Sequence, residues 1–396
     1  MLLALCLGFM LSQAFRTLAA MMAPPLAADL QLSPAQLGLF AATFHFAFGA
    51  MQVFMGVGID LHGVRRTVLA AFPFAVAGAL LSALAPGFAG VIAGQALIGI
   101  GCAPAFLVCT VFIARSFPPQ RFAAVSGTVM SLGGLGMLLT GTPLAWLVAS
   151  TSWRAGFIAL AVASLLAWLA MWMLVRHSPA VLAPGGDARR ETLPEALRRF
   201  GELMLMPHTA GIALLAAVTY ASFIALRGLW LGPMLTEQYG MSLVNSGHVA
   251  LIVSLISLVT PPLFGRLRVV GMERRRWLVV FTLGLAALFA ALALLHSLAA
   301  TIAIALAVAL LSGYIVLQYA DVRASYPDAL TGRALAVFTM AMFLGIALMQ
   351  WITGLAASAA HAIGSDPYTA VNLTIAAMLA VGAIGFRRLP SAVAER

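Results

Sequence analysis

The feature that most constrains this chain is a run of about twenty apolar residues that recurs about twelve times, each run closed off by Arg, Pro or Gly clusters. A bilayer core about 30 Å thick takes about 20 apolar residues to cross as a helix, and lipid offers no partner for an open backbone N–H or C=O. Runs of this length predict spanning helices. The spacing places six near 2–28, 36–58, 67–86, 88–114, 123–149 and 155–175, and six more near 208–236, 244–265, 277–295, 298–320, 334–360 and 367–386. Only 9% of residues are charged and 63% are hydrophobic, where a soluble domain carries about a quarter charged residues. A soluble globular class is excluded. The first run begins at Met1, contains Arg16 and lacks a basic leader and a small-residue cleavage site, so it reads as the first span and not as a signal peptide.

The formal net charge is +10 and every basic residue is Arg. A basic chain can signal nucleic acid, but these Arg sit in short connections between apolar runs, and membrane topology accounts for them without a nucleic-acid partner. From Arg65 and Arg66, through Arg189 to Arg199, to the tail at Arg387 and Arg388, alternate connections hold all but three of the 22 basic residues. The intervening connections hold only Arg154. Positive connections stay on the cytoplasmic side, which predicts cytoplasmic termini in a cell (inner) membrane. The two remaining Arg, Arg16 and Arg227, lie inside spans.

One long polar connection, 176–207, mixes Pro184, Gly185 and Gly186 with a charged run, and its part from Glu191 to Phe200 has the pattern of an amphipathic surface helix. It divides the chain into a six-helix bundle at 1–175, a cytoplasmic loop at 176–207, a second bundle at 208–386 and a tail at 387–396. A shift of 209 residues superposes Leu32-Ser33 with Gly38 on Met241-Ser242 with Gly247, Gly56 on Gly265, Arg65-Arg66 on Arg274-Arg275 and Pro118 on Pro327. An even number of spans separates the copies. They are therefore expected to be parallel repeats about an axis along the membrane normal, with a solute site between them.

Between the second and third spans the chain reads Gly56-Val57-Gly58-Ile59-Asp60-Leu61-His62-Gly63-Val64-Arg65-Arg66. This resembles the G-x-L-x-D-R-x-G-R-R loop of the major facilitator superfamily, with Gly58 in place of Leu and Leu61 in place of the first Arg. The resemblance implies twelve transmembrane helices in two pseudo-symmetric bundles, alternating access, and a cytoplasmic gate in which Asp60 meets the positive N-terminus of a neighbouring helix while Arg65 and Arg66 stay at the headgroups. A solvated turn obeying the positive-inside rule is the plainer alternative. The second-half loop carries Arg268 near the Asp position. A second family pattern, R-x-x-x-G-x-G, appears at Gln95 to Gly101 without its Arg, and Trp153-Arg154 with Phe157 resembles the family's start of span six.

An Arg near the middle of a bilayer costs about 2.5–3.5 kcal/mol on insertion scales and so faces a cavity or a partner. Arg16 and Arg227 occupy near-equivalent positions of the repeat. The nearest acids, Asp29, Glu237, Asp321, Asp328 and Asp366, all read as lying near span ends or in loops. Guanidinium groups without a counter-ion suit an anionic substrate, because carboxylate and phosphate accept paired hydrogen bonds from Arg. Paired Arg in the first and seventh spans is similar to the anion site of organophosphate antiporters in the same superfamily; Arg bonded to backbone carbonyls is the alternative. In that family the first, fourth, seventh and tenth spans line the cavity, which here carry Gln13, Gln95, Tyr220, Tyr314 and Gln318, each equally readable as an interhelical hydrogen bond.

His45, inside the second span, titrates near neutral pH and is a candidate for proton coupling, or a packed neutral His. Cys6, Cys102 and Cys109 read as buried small hydrophobes, with no spacing for zinc. No cofactor, metal or catalytic group is expected. The expectation is a monomeric transporter of a small organic or inorganic anion in a lipid bilayer. An exporter of lipophilic compounds, or a transporter-like sensor or membrane enzyme, stays open as an alternative.

Overall fold

The computed structural model describes residues 1–175, 193–267 and 269–390. Among these, all regular structure is helical. Eleven helices are long and apolar enough to cross a membrane, and Leu2–Thr17 with Ala19–Leu30 forms a further span bent by 49°. With that bent pair as span 1, spans 2 to 6 are Pro34–Ile59, His62–Leu84, Phe88–Ala114, Val125–Ser150 and Trp153–Leu174. Spans 7 to 12 are Pro207–Gln238, Leu243–Phe264, Gly271–Leu294, Leu298–Ser325, Leu330–Ala362 and Pro367–Arg388. The amphipathic helix runs over Leu193–Met204. Its forerunner Glu191 and the rest of 176–192, with Arg268 and 391–396, lie outside the described residues.

Matching start signals build the two repeats. The Ser33 hydroxyl accepts from the Gln36 amide at the start of span 2, and Ser242 accepts from the Asn245 amide at the start of span 8, so one N-cap is used twice at the 209-residue shift. Pro118 and Pro327 likewise precede the helices that contain spans 5 and 11, with ψ 149° in both. Several boundaries differ from the sequence expectation: span 3 begins at His62 rather than 67 and span 9 at Gly271 rather than 277. Span 10 continues to Ser325 rather than stopping at 320, which draws Asp321 inside the helix, where it is only 2% exposed. Near the end of span 10, as expected, this carboxylate is nonetheless buried among cations: Arg274 donates to Oδ1 at 3.2 Å and Arg275 to Oδ2 at 3.1 Å, and the two cations offset its desolvation.

The two bundles meet on the side of the membrane away from the termini. Span 2 packs against span 11 where a Cβ added to Gly38 would lie 2.5 Å from the Gln350 carbonyl and 2.8 Å from Gly354 Cα, so only glycine permits the approach. Beside it the Ala35 amide donates to Ser358 Oγ at 2.8 Å, and between spans 5 and 8 Thr142 Oγ1 lies 2.8 Å from His248 Nδ1. On the terminus side, the second bundle is tied within itself. There Arg275 lies over the Phe386 ring, and Thr209 bonds Tyr326 at 2.6 Å.

Candidate functional site

Arg16 and Arg227 both sit where their helix departs from regular α geometry. Arg16 and Thr17 close the first segment of span 1 just before its bend at Leu18, and Arg227 lies in a π-helical turn, Leu226–Trp230. Such irregular turns free backbone groups from the i→i−4 ladder and recur at functional positions.

The two side chains then differ. Arg227, 0% exposed, directs Nε to the Ala250 carbonyl at 2.9 Å and to Ser254 Oγ at 2.7 Å, both in span 8. Its Nη2 donates to the Met137 carbonyl of span 5 at 3.0 Å and approaches Thr140 Oγ1 at 3.4 Å. Thr140 in turn bonds Thr17 of span 1 at 2.6 Å. Only Nη1 of Arg227 lacks a partner, so this cation is held largely by backbone carbonyls and hydroxyls across the seam between bundles.

Arg16 is 7% exposed and lies against two rings, with the Tyr220 hydroxyl as its polar neighbour. Its Cζ lies 4.7 Å from the centroid of Phe48 in span 2 and 4.5 Å from that of Phe343 in span 11, one ring from each bundle, and the two rings are 4.3 Å apart. Aromatic faces attract a cation but offer its N–H groups no hydrogen-bond acceptor. Nε of Arg16 has no partner. The Tyr220 hydroxyl of span 7 comes up to the guanidinium, and Tyr319 of span 10 and Cys102 of span 4 lie within range of its charge. Among the described residues, neither Arg16 nor Arg227 is ion-paired with an acid.

His45 lies beside this group, 1% exposed, edge-on to Phe44 and stacked near Phe343. Its Nδ1 is 3.1 Å from the Ala41 carbonyl, so Nδ1 carries the proton and Nε2 is left as an acceptor. Nε2 has no partner, and Gln350, which faces it from span 11, is 0% exposed with neither amide atom bonded. Three unpaired polar atoms therefore meet where the bundles join.

The other sequence candidates scatter. Gln13 and Gln95 are buried with one unpaired atom each, Oε1 and Nε2. Tyr314 bonds Thr282 at 2.8 Å inside a cluster with Phe264 and Phe281, and Gln318 accepts from Thr219 at 3.1 Å. Those bonds give Tyr314 and Gln318 interhelical roles. In the loop motif, Gly63 takes φ +79° and breaks the helix between spans 2 and 3, which a glycine does without strain. Arg65 donates to the carbonyls of Val175 and Trp172 at the end of span 6, at 2.5 and 3.2 Å, while Arg66 is exposed and Gly56 is loosely packed. The Asp60 side chain lies outside the described residues. Phe48, Phe343 and Tyr319 are additions to the sequence candidates. Tyr319 follows Gln318 and was open to suspicion on that ground, but nothing distinguishes Phe48 or Phe343 in sequence from the chain's other Phe.

Twelve apolar spans in two six-helix bundles, with a buried guanidinium that no acid among the described residues pairs, define a polytopic α-helical membrane protein of the two-bundle class. The chain belongs to the Major Facilitator Superfamily, whose family model matches residues 5–349. It is 25% identical over 242 residues to the hexuronate transporter of Bacillus subtilis (strain 168), covering 58% of this chain and 54% of that protein. It is also 25% identical over 161 residues to the probable sulfoacetate transporter SauU of Cupriavidus necator, covering 41% and 37% respectively. The matches thus span about half or less of the relatives' length. Among solved structures, a D-xylose-proton symporter superposes with TM-score 0.77 at 17% identity, covering 99% of this chain and 98% of that one. A bacterial homologue of the human lysosomal transporter Spinster, inward-facing and occupied, gives 0.72 at 18% identity, covering 99% and 94%. At these identities the likeness shows the fold.

Proposed function

We propose that this protein moves a small organic anion across the membrane by alternating access, with Arg16 as the anion contact. The observation that carries the reading is a guanidinium 7% exposed in the membrane interior, with an unpartnered Nε and rings where a counter-ion would stand. A buried cation of this kind is stabilised when a carboxylate arrives, because charge-assisted hydrogen bonds are strongest out of water. The named substrates of the two relatives, a hexuronate and sulfoacetate, are anions, which supports the same class. Arg227 is the second arginine of the site; its bonds across the seam make it chiefly a tie between bundles. The distribution of Arg supports a cytoplasmic terminus side and an external closed side, an inward-facing arrangement.

His45 is the proposed coupling group. An anion on Arg16 lowers the cost of a positive charge on the neighbouring Nε2, so anion and proton favour each other's binding by the same factor. Proteoliposome uptake of labelled organic anions, competed by unlabelled anions and by lipophilic cations, tests the class. Block by anions alone is expected. Block by lipophilic cations alone overturns the reading in favour of an exporter of lipophilic compounds.

A further inference from the structure

We infer that Gln350 is the positioning residue that lets His45 keep a proton while the bundles are closed over it, its amide meeting either charge state of the imidazole across the seam. This rests on the reading of His45 as the coupling group and deepens it. Gln350 is 0% exposed with neither amide atom bonded, and it faces the Nε2 of His45, which is unbonded as well. Buried polar atoms without partners are costly and rare, so two such groups set opposite each other mark a bond that forms in one state and not in another.

Backbone contacts hold the pair in register. Spans 2 and 11 run antiparallel: a Cβ added to Gly38 would lie 2.8 Å from Gly354 Cα, and one added to Gly49 would lie 3.1 Å from Phe343 Cβ. His45 lies between those contacts on span 2. Gln350 and Phe343, about two turns apart and so on one face of span 11, lie across from it. The two spans belong to different bundles, and parting of the bundles on the closed side takes Gln350 away from His45.

An amide suits both charge states of this imidazole. Nδ1 of His45 is committed to the Ala41 carbonyl at 3.1 Å, so the proton that comes and goes is on Nε2. Neutral Nε2 accepts from the Gln350 N–H; charged Nε2–H donates to Gln350 Oε1, and a half-turn of the amide exchanges the two ends. No other neighbour offers this. Against His45 stand Ala41 and Phe44 of its own span, the Arg16 cation of span 1, Gly99 of span 4 at the Phe44 carbonyl, and Phe343 beside Gln350 in span 11, and none is an acid. Without Gln350, a proton on Nε2 in the closed form would be a buried charge beside Arg16 with no acceptor.

The test is the pH dependence of uptake by the full chain in proteoliposomes, read with whichever of labelled glucuronate, sulfoacetate, lactate and benzoate the wild type takes up fastest. A hydrogen bond to a charged group corresponds to about one to two pH units. Gln350→Met should therefore move the midpoint of the profile to lower pH by about one unit or more, and Gln350→Glu should move it to higher pH. In a His45→Gln background Gln350→Met should move nothing. Gln350→Leu takes the place of Gln350→Met if that variant does not elute as folded protein. A midpoint unmoved or raised without the amide, or a shift that persists without His45, overturns the inference while His45 stands as the coupling group. A profile that His45→Gln leaves unchanged, or uptake of none of the probes by the wild type, overturns the inference and the reading beneath it together.

Discussion

Arg227 donates through Nη2 to the Met137 carbonyl at 3.0 Å, so a cation of the second bundle is bonded to the backbone of the first. That bond exists only while the bundles are closed on the side away from the termini. A hydrogen bond from a charged donor contributes about 1.5–3 kcal/mol, enough to shift a two-state equilibrium by about tenfold or more. Arg227→Ala should therefore raise the population open on that side. Spin labels at Ser150 and Asn245, at the exposed far ends of spans 5 and 8, should show a longer distance in the variant. An unchanged distance distribution would remove the tie from the account.

Asp321 stands between Arg274 and Arg275, with side chains 2%, 7% and 7% exposed. Breaking a buried pair by removing one partner typically costs about 3–5 kcal/mol, because the remaining charges stay desolvated. Asp321→Asn should lower the Tm in detergent, and adding Arg274→Gln should restore part of the loss. A double variant no more stable than the single would show that the cluster is not held by charge balance.

His45 offers its unpartnered Nε2 beside Arg16. Because bound anion favours the proton there, uptake should rise as the pH is lowered. Arg16 is the charged neighbour and Gln350 the facing polar one. His45→Gln should flatten the profile while anion binding persists. A pH profile unchanged in His45→Gln removes His45 from coupling.

Much of the fold is legible in the chain because lipid imposes it. Twenty-residue apolar runs specify spans, and the shared N-caps Ser33 and Ser242 are the physical content of the 209-residue repeat. The two arginines were equally legible as buried cations, since nothing else in spans 1 and 7 carries charge at that depth. What set them apart was not. Whether an Arg meets carbonyls or rings depends on the π turn at Leu226–Trp230 and on which Phe faces inward, and in lipid an apolar residue reads alike on either face. Asp321 was legible as an acid near a span end but not as a buried one, because span 10 runs on to Ser325, past its apolar stretch, and Arg274 and Arg275 bond the acid inside it.

The central claim is that Arg16 binds the transported anion. Counterflow in proteoliposomes loaded with an unlabelled organic anion that competes for wild-type uptake tests it most directly, by comparing wild type, Arg16→Lys and Arg16→Ala that elute as folded protein. The labelled anion should accumulate with the wild type, weakly with Arg16→Lys, whose point charge lacks the planar pair of donors, and not at all with Arg16→Ala. Accumulation by Arg16→Ala at the wild-type rate would contradict the account.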